Sequence, residues 1–438
     1  MLKFDEQRLS LKNCIVIDQL IDKVGYIWQL DTVKFKFPSI NEISELPSQH
    51  SRENWNDWTW QLRQSLKTEQ DFAKYFVLSE SEKTAFGIDQ KKSVFNIRST
   101  PYYTALAHSQ KIDDPIRRIL MPNSDELSTE FQAELDPLGE RKSENNPVAR
   151  VVHRYSDRAL FLITDICSVY CRYCTRKHFT GADQAFIKNT EYEVALDYFR
   201  SRKGLREIIL SGGDPLTVSD SQLEKVLSDL RKIEHIEIIR IGTRMPVVAP
   251  MRVTEKLVKT IRQYKPVYLM THFNHPRELT AESAQSVEMF VDHGIPVMNQ
   301  MVLLNGINNH PAIVQALSRR LLFLRAKPYY MFQCDPSIGT DHLRTSIDDS
   351  LSIQKELWGH LSGLAMPQFS VDIPNGGGKA YYVPQFEIKN ENHIRYYEGW
   401  DGVNARYVSP SPEHIIKPLD FELYQNEWND IKNNKLDT

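Results

Sequence analysis

Between Ala159 and Ile373 the chain alternates short, β-rich apolar runs with longer stretches whose apolar residues recur at helical spacing. That alternation is the signature of repeated βα units around a parallel sheet. The runs ALFLIT (159–164), EIILS (207–211), IEIIRIG (236–242), VYLMTH (267–272), PVMNQMVLL (296–304), YYMFQC (329–334) and FSVDI (369–373) predict seven strands. The stretches between them, EYEVALDYFRS, SQLEKVLSDLRKI, VTEKLVKTIRQY, AESAQSVEMFVDH, AIVQALSRRLLFLRA and LSIQKELWGHLSG, predict six helices. Thr190 with Glu193, and Ser219 with Gln222, have the spacing of capping boxes and predict two helix starts. Six βα units and an extra strand fall short of an eight-fold closure. The expected fold is therefore α/β, an incomplete TIM-type β/α barrel rather than a flat doubly wound sheet. Chemically unusual residues gather at the C-terminal strand ends, where such folds carry their sites: Cys167 after the first strand, Gly212-Gly213-Asp214 after the second, His272 at the end of the fourth and Asp335 after the sixth.

The first 150 residues lack this alternation and read as a mainly helical region. In NWNDWTWQLRQSLKTEQDFAKYF, Trp55 and Trp58 stand three apart on one face of an amphipathic helix and are expected in the core. The polar segment 136–147, DPLGERKSENNP, reads as a linker. The expected division is a helical region over 1–150, the barrel over 151–375, and a lysine-bearing loop with a C-terminal extension over 376–438. Charges interrupt the N-terminal apolar residues too often for a signal peptide, and no run of about 18 apolar residues exists for a membrane span. A cytoplasmic protein is expected. The net charge of -3 provides no basic field for nucleic acid, and the composition, 41% hydrophobic and 25% charged, is that of a globular chain.

Cysteine usage sharpens this picture. Three of five cysteines, Cys167, Cys171 and Cys174, fall within eight positions, whereas Cys14 and Cys334 are isolated. In a reducing compartment such a cluster reads as metal-binding or catalytic. Three thiolates are one short of a closed structural zinc site or a fully protein-held iron–sulfur cluster. A 4Fe–4S cluster on three cysteines keeps one iron open to a small molecule bearing an amine and a carboxylate; a zinc site completed by a distant histidine is the competing reading. Ser211-Gly212-Gly213-Asp214, ending the next strand, is by itself a common turn, but consecutive glycines also let the backbone approach a ligand. DIPNGGGK (372–379) fails the P-loop pattern because Ala380 follows the lysine; a lysine on a mobile glycine loop suits Schiff-base chemistry instead.

Taken together, ENWNDWTWQLR near 53, STPYY at 99, HRYSDR at 153, the CxxxCxxC motif and the GGGK loop resemble the lysine 2,3-aminomutase family over most of the chain. The resemblance implies radical chemistry with a 4Fe–4S cluster on Cys167, Cys171 and Cys174, and S-adenosylmethionine (SAM) bound near Ser211–Asp214, His272 and Gln300. It implies pyridoxal 5′-phosphate (PLP) on Lys379, its phosphate held by Arg154, Tyr155 and Arg158. It further implies that Arg176 holds the substrate carboxylate, and Asp335 and Asp372 the distant ammonium. Family members acting on glutamate replace those two acids. The implied reaction moves the α-amino group of a small amino acid to Cβ, lysine first and arginine as the alternative, with a donor such as flavodoxin or ferredoxin and a homo-oligomeric assembly. A related role supplying β-lysine to a protein-modifying ligase belongs to shorter relatives, and a non-catalytic zinc-binding interaction protein is the reading from another class. The chain departs from the family pattern in three ways. No cysteine follows Cys334, and His310 stands where a zinc-binding partner cysteine would, which places the family's structural zinc in question. Pro336 and Ile338 beside the acids, and Asn375 in the glycine loop, are expected to reshape the pocket for a longer cation.

Overall fold

The computed structural model describes residues 35–43, 52–87, 96–128, 133–181, 186–391 and 394–410, with isolated positions after 411. Cys14 lies outside them. Nine strands form one sheet in chain order: β1 (Val151–Tyr155), β2 (Arg158–Thr164), β3 (Glu207–Gly212), β4 (Ile238–Gly242), β5 (Val267–Thr271), β6 (Val297–Leu303), β7 (Ala326–Gln333), β8 (Gln368–Ile373) and β9 (Gly378–Tyr381). Strands β2 to β8 are parallel and correspond to the seven predicted. Strands β1 and β9 add antiparallel edges that the apolar pattern did not reveal. The strands VVHRY and GKAY are short and mix apolar with polar residues, so neither forms an apolar run long enough to announce itself.

Six helices cross between the parallel strands: α1 (Asn189–Ser201), α2 (Asp220–Arg231), α3 (Glu255–Gln263), α4 (Ala281–Asp292), α5 (Pro311–Phe323) and α6 (Ile347–Leu357). The expected capping box at Ser219 is present, each side chain bonding the other's backbone N–H. The one expected at Thr190 is not. Helix α1 starts two residues earlier, and its N-cap position, Lys188, has no side chain able to accept there. His310 caps α5, its Nδ1 accepting from the Ala312 N–H at 3.2 Å.

The sheet curls until its two ends approach. The Lys379 N–H on β9 donates to the Tyr155 hydroxyl on β1 at 3.2 Å, and Arg154 on β1 lies 3.9 Å from Asp372 on β8. Side chains rather than a backbone ladder bridge the last gap, which makes this the expected partial barrel. The domain boundary drawn at 376 falls between the paired strands β8 and β9, so the lysine segment is part of the barrel wall.

The N-terminal region shares the barrel's core: Trp55, Phe72, Tyr102 and Tyr103 pack in the same apolar cluster as the barrel residues. Trp55 and Trp58 do not sit on one helix. Asp57 ends the first short helix (Arg52–Asn56) and caps the next (Trp58–Arg63) by accepting from Thr59 N at 2.8 Å. Trp55 is buried, while Trp58 receives the Arg252 guanidinium over its ring at 4.4 Å. Beyond the barrel, β10 (Glu387–Glu391), β11 (Ile394–Glu398) and β12 (Asn404–Val408) form a separate antiparallel sheet. No helix among the described residues is long and apolar enough to cross a membrane.

Candidate active site

A cavity of about 580 Å³ opens at the C-terminal ends of the strands, and every predicted site residue lines it. Tyr329 and Tyr381 separate it from a more open groove of about 920 Å³ that holds none of them. The two tyrosines flank Tyr330, whose hydroxyl lies 3.0 Å from that of Tyr329 and 2.7 Å from that of Tyr381.

Cys167, Cys171 and Cys174 follow β2 on a loop pinned by the residues between them. Arg172, fully buried, forms a short bidentate ion pair with Glu126 and donates to the Asn96 carbonyl at 2.9 Å. Tyr173 accepts from Asn274 at 2.7 Å and packs on the His272 ring at 5.5 Å. All three thiols are unbridged and partly exposed to the cavity. Burial pushes the Cys167 and Cys174 thiols up, Cys174 to about 11, and a bound metal would oppose that by favouring the thiolates. Among the described residues, no three His, Cys, Asp or Glu side chains converge closely enough for a single ion.

The glycines of the 211–214 turn are required by the backbone beside them. A Cβ on Gly212, whose φ is +120°, would lie 2.1 Å from the Thr164 carbonyl oxygen, and one on Gly213 would lie 2.2 Å from that of Ile166. The Gly213 and Asp214 N–H groups donate to these same two carbonyls, each at 2.7 Å. The close approach is therefore to the chain leading into the cysteine loop, which the turn holds in place. Asp214 likewise serves the protein: its carboxylate accepts from the Thr243 hydroxyl at 2.6 Å, the Arg244 N–H at 2.7 Å and the Leu216 N–H at 3.0 Å.

Across the cavity, Asp372 on β8 is the ladder partner of Lys379 on β9, and the lysine Nζ lies 3.2 and 3.3 Å from its carboxylate oxygens. Lys379 thus projects from a strand rather than from a mobile loop. The turn before it is shaped by Asn375 at φ 65°, with its N–H on the Pro137 carbonyl, and by Gly378 at φ +81°, packed near the Tyr155 hydroxyl. The Arg154 side chain is 8% exposed; its Nη2 lies 3.9 Å from Asp372, and among the described residues neither it nor Nε makes a hydrogen bond. Arg158 stacks on the Tyr155 ring at 3.9 Å and donates to Asp157 at 2.7 Å. Guanidinium donors without a hydrogen bond, beside a phenol and a second guanidinium, fit a phosphate.

Asp335 follows β7, and no donor among the described residues reaches its carboxylate; its backbone carbonyl is engaged, by the Ser337 N–H at 2.8 Å and the Thr340 hydroxyl at 2.9 Å. Burial first, then the charge of Asp372, pushes its carboxyl up to about 7. Arg176 has its fork taken. Its Nε and Nη2 each donate to Glu140 at 2.8 Å, and its Nη1 reaches the Ser211 hydroxyl at 3.1 Å. The segment read as a linker thus delivers a buried carboxylate to the site, held below its usual range by the Arg176 charge against the opposing effect of burial. No feature of the polar stretch 136–147 marked Glu140 out in advance. His272 is held neutral, with burial first and then Arg244 lowering its pKa to about 3; its buried Nε2 has no partner. Gln300 lines the wall from β6. Pro336, Ile338 and Asn375 do not line the cavity, so the expectation that they reshape it is not met: Ile338 is exposed and Asn375 reaches Glu134 at 3.4 Å.

Arg244, two residues past the end of β4, was also missed. It lines the cavity with Nη1 2.8 Å from the Cys171 sulfur. The strand-end position that marked His272 applied equally to it.

A curled parallel sheet with a three-cysteine loop after its first parallel strand defines a radical SAM enzyme, and residues 161–315 match the Radical SAM superfamily. Residues 354–436 match the family described as Lysine-2,3-aminomutase. The chain is 40% identical to an L-lysine 2,3-aminomutase of Fusobacterium nucleatum over 87% of this chain and 86% of that one. It is 41% identical to one of Bacillus subtilis over 83% and 76%, and 35% identical to a glutamate 2,3-aminomutase of Clostridioides difficile over 96% and 100%. Among solved structures, a radical SAM methyltransferase from Sphaerobacter thermophilus is similar at 16% identity and a TM-score of 0.37, over 50% of this chain and 68% of that one. The chain belongs to the lysine 2,3-aminomutase family of radical SAM enzymes, isomerases that work with a 4Fe–4S cluster and SAM. That membership sets aside the zinc-binding interaction protein.

Proposed function

We propose that the protein is a PLP-dependent L-lysine 2,3-aminomutase, moving the α-amino group to Cβ. The observation that carries this reading is the pair Asp335 and Asp372 sharing one cavity with Arg176 and Lys379. Two acids in a buried wall repel one another unless a cation lies between them, and among the described residues Asp335 forms no ion pair, the charges of Lys379 and Arg154 only partly offsetting its burial and the charge of Asp372. The ammonium of a lysine side chain fits that need. The arginine alternative loses support because the substitutions that favoured it lie outside the cavity.

In this reading Cys167, Cys171 and Cys174 would hold the cluster, with SAM bound beside it. Arg154, Tyr155 and Arg158 hold the PLP phosphate, and His272 and Gln300 line the SAM side. Bound there, the cofactors supply one-electron chemistry and a ring that delocalises an unpaired electron. The rest falls to the chain. Arg176, steadied by Glu140 and Ser211, orients the substrate carboxylate through its remaining N–H groups. Lys379 would hold PLP through its side-chain amine, and Asp372, whose carboxylate lies 3.2 Å from that Nζ, would steady the amine whenever it is free. The tyrosine floor closes the inner end of the cavity. The same reading expects a cytoplasmic homo-oligomer served by a flavodoxin- or ferredoxin-type donor.

The test is anaerobic reconstitution with iron, sulfide and PLP, followed by NMR of products from lysine, arginine, ornithine and glutamate. β-Lysine from lysine alone is expected, and none from Lys379→Ala. A β-amino product from glutamate, or activity retained in Lys379→Ala, would overturn the assignment.

A further inference from the structure

The Arg244 guanidinium is enclosed on all sides. Its Nε donates to the His272 carbonyl at 3.2 Å, and its Nη2 to the Tyr103 hydroxyl at 2.8 Å and to Glu278 at 2.6 Å. The faces of Tyr103 and Tyr173 lie 4.8 and 5.9 Å away. Only Nη1 points at the cysteine loop, 2.8 Å from the Cys171 sulfur. Glu278 is fully buried, and its second oxygen takes the N–H groups of Asn274 and His275. Asp214, the acid of the glycine turn, fixes the Arg244 backbone. The scaffold thus draws on the N-terminal region, the glycine turn and the loop after β5 to present one N–H to one sulfur.

We propose that Arg244 is a positioning residue that donates to the Cys171 thiolate and raises the reduction potential of the cluster, with Glu278 as its counterweight. The proposal rests on the assignment of the three cysteines as cluster ligands. Reduction adds negative charge to a cluster. A hydrogen-bonded cation beside a ligand sulfur stabilises that reduced form, and more strongly where water is excluded. A buried carboxylate on the far side of the same guanidinium offsets part of the effect. The two residues therefore act with opposite sign.

The experiment is a redox titration of the reconstituted enzyme without SAM, PLP or amino acid, following the reduced cluster by electron paramagnetic resonance, with iron per chain measured alongside. Arg244→Gln/Glu278→Gln keeps the site neutral and protects the fold against an unpaired buried charge. Arg244→Gln is expected to lower the ratio of reduced to oxidised cluster at fixed potential at least tenfold, a shift of ~59 mV for a one-electron couple. Arg244→Lys should recover part of this loss, Glu278→Gln should move the ratio the other way, and the double variant should fall between the two single variants. Loss of packing alone would not produce shifts of opposite sign. A double variant with wild-type iron content whose two parent single variants both titrate like the wild type would overturn the proposal while leaving the cluster assignment intact. A wild-type chain that takes up no iron would overturn both.

Discussion

Replacing Asp335 with asparagine should stabilise the amino-acid-free protein, and by more at pH 8 than at pH 5. Burial and the neighbouring Asp372 raise the folded carboxyl from 3.8 to about 7. For an acid raised on folding, the unfolded chain releases its proton first as pH rises. Stability is therefore lost between about pH 4 and pH 7 and stays lost above. A rise of that size costs about 4 kcal/mol at pH 8 but only about 2 kcal/mol at pH 5, where the unfolded carboxyl has begun to ionise and the folded one has not. Asparagine removes the cost at both values, so its benefit should differ between them by roughly 2–3 kcal/mol. Over 438 residues, at about 2 cal/mol/K per residue, that is roughly 3 °C in Tm. Thermal unfolding followed by circular dichroism at the two pH values measures it, and an equal Tm shift at both would refute the reasoning. Added lysine supplies the missing cation, so it should stabilise the wild type more at pH 8 than at pH 5, and the variant equally at both.

Three further outcomes follow from the geometry. Gly213→Ala places a methyl group 2.2 Å from the Ile166 carbonyl oxygen, so it should displace the cysteine loop and cut iron per chain at least severalfold, measured by iron assay on folded protein. Glu140→Gln removes the charge that orients Arg176, and the apparent KM for lysine should rise about tenfold, or ~1.4 kcal/mol, with Tm little changed; an unchanged KM would contradict that role. Arg154→Met deletes the two guanidinium donors that make no hydrogen bond, and PLP retained after gel filtration should fall at least tenfold against wild type.

Much of the framework was legible because the rules behind it are local. A run such as VYLMTH announces a buried strand by its composition, and Ser219 with Gln222 a helix start by its spacing. Edge strands were missed because VVHRY and GKAY are short and mix apolar with polar residues, although both complete the wall that carries the site. The helix drawn through Trp55 and Trp58 failed for a local reason: Asp57 caps more favourably than it continues a helix.

What the sequence alone determined was the inventory of groups and the strand ends on which they stand: three sulfurs after β2, two acids after β7 and on β8, a lysine just past the run of three glycines. What only the tertiary structure decided was their pairing. Lys379 meets Asp372, Glu140 meets Arg176 and Arg244 meets the Cys171 sulfur across separations of 7, 36 and 73 residues. Period, caps and turns act among neighbours in the chain. Which charge reaches which partner depends on how far the sheet curls before Tyr155 meets Lys379, and that curl is set by the packing of the whole barrel.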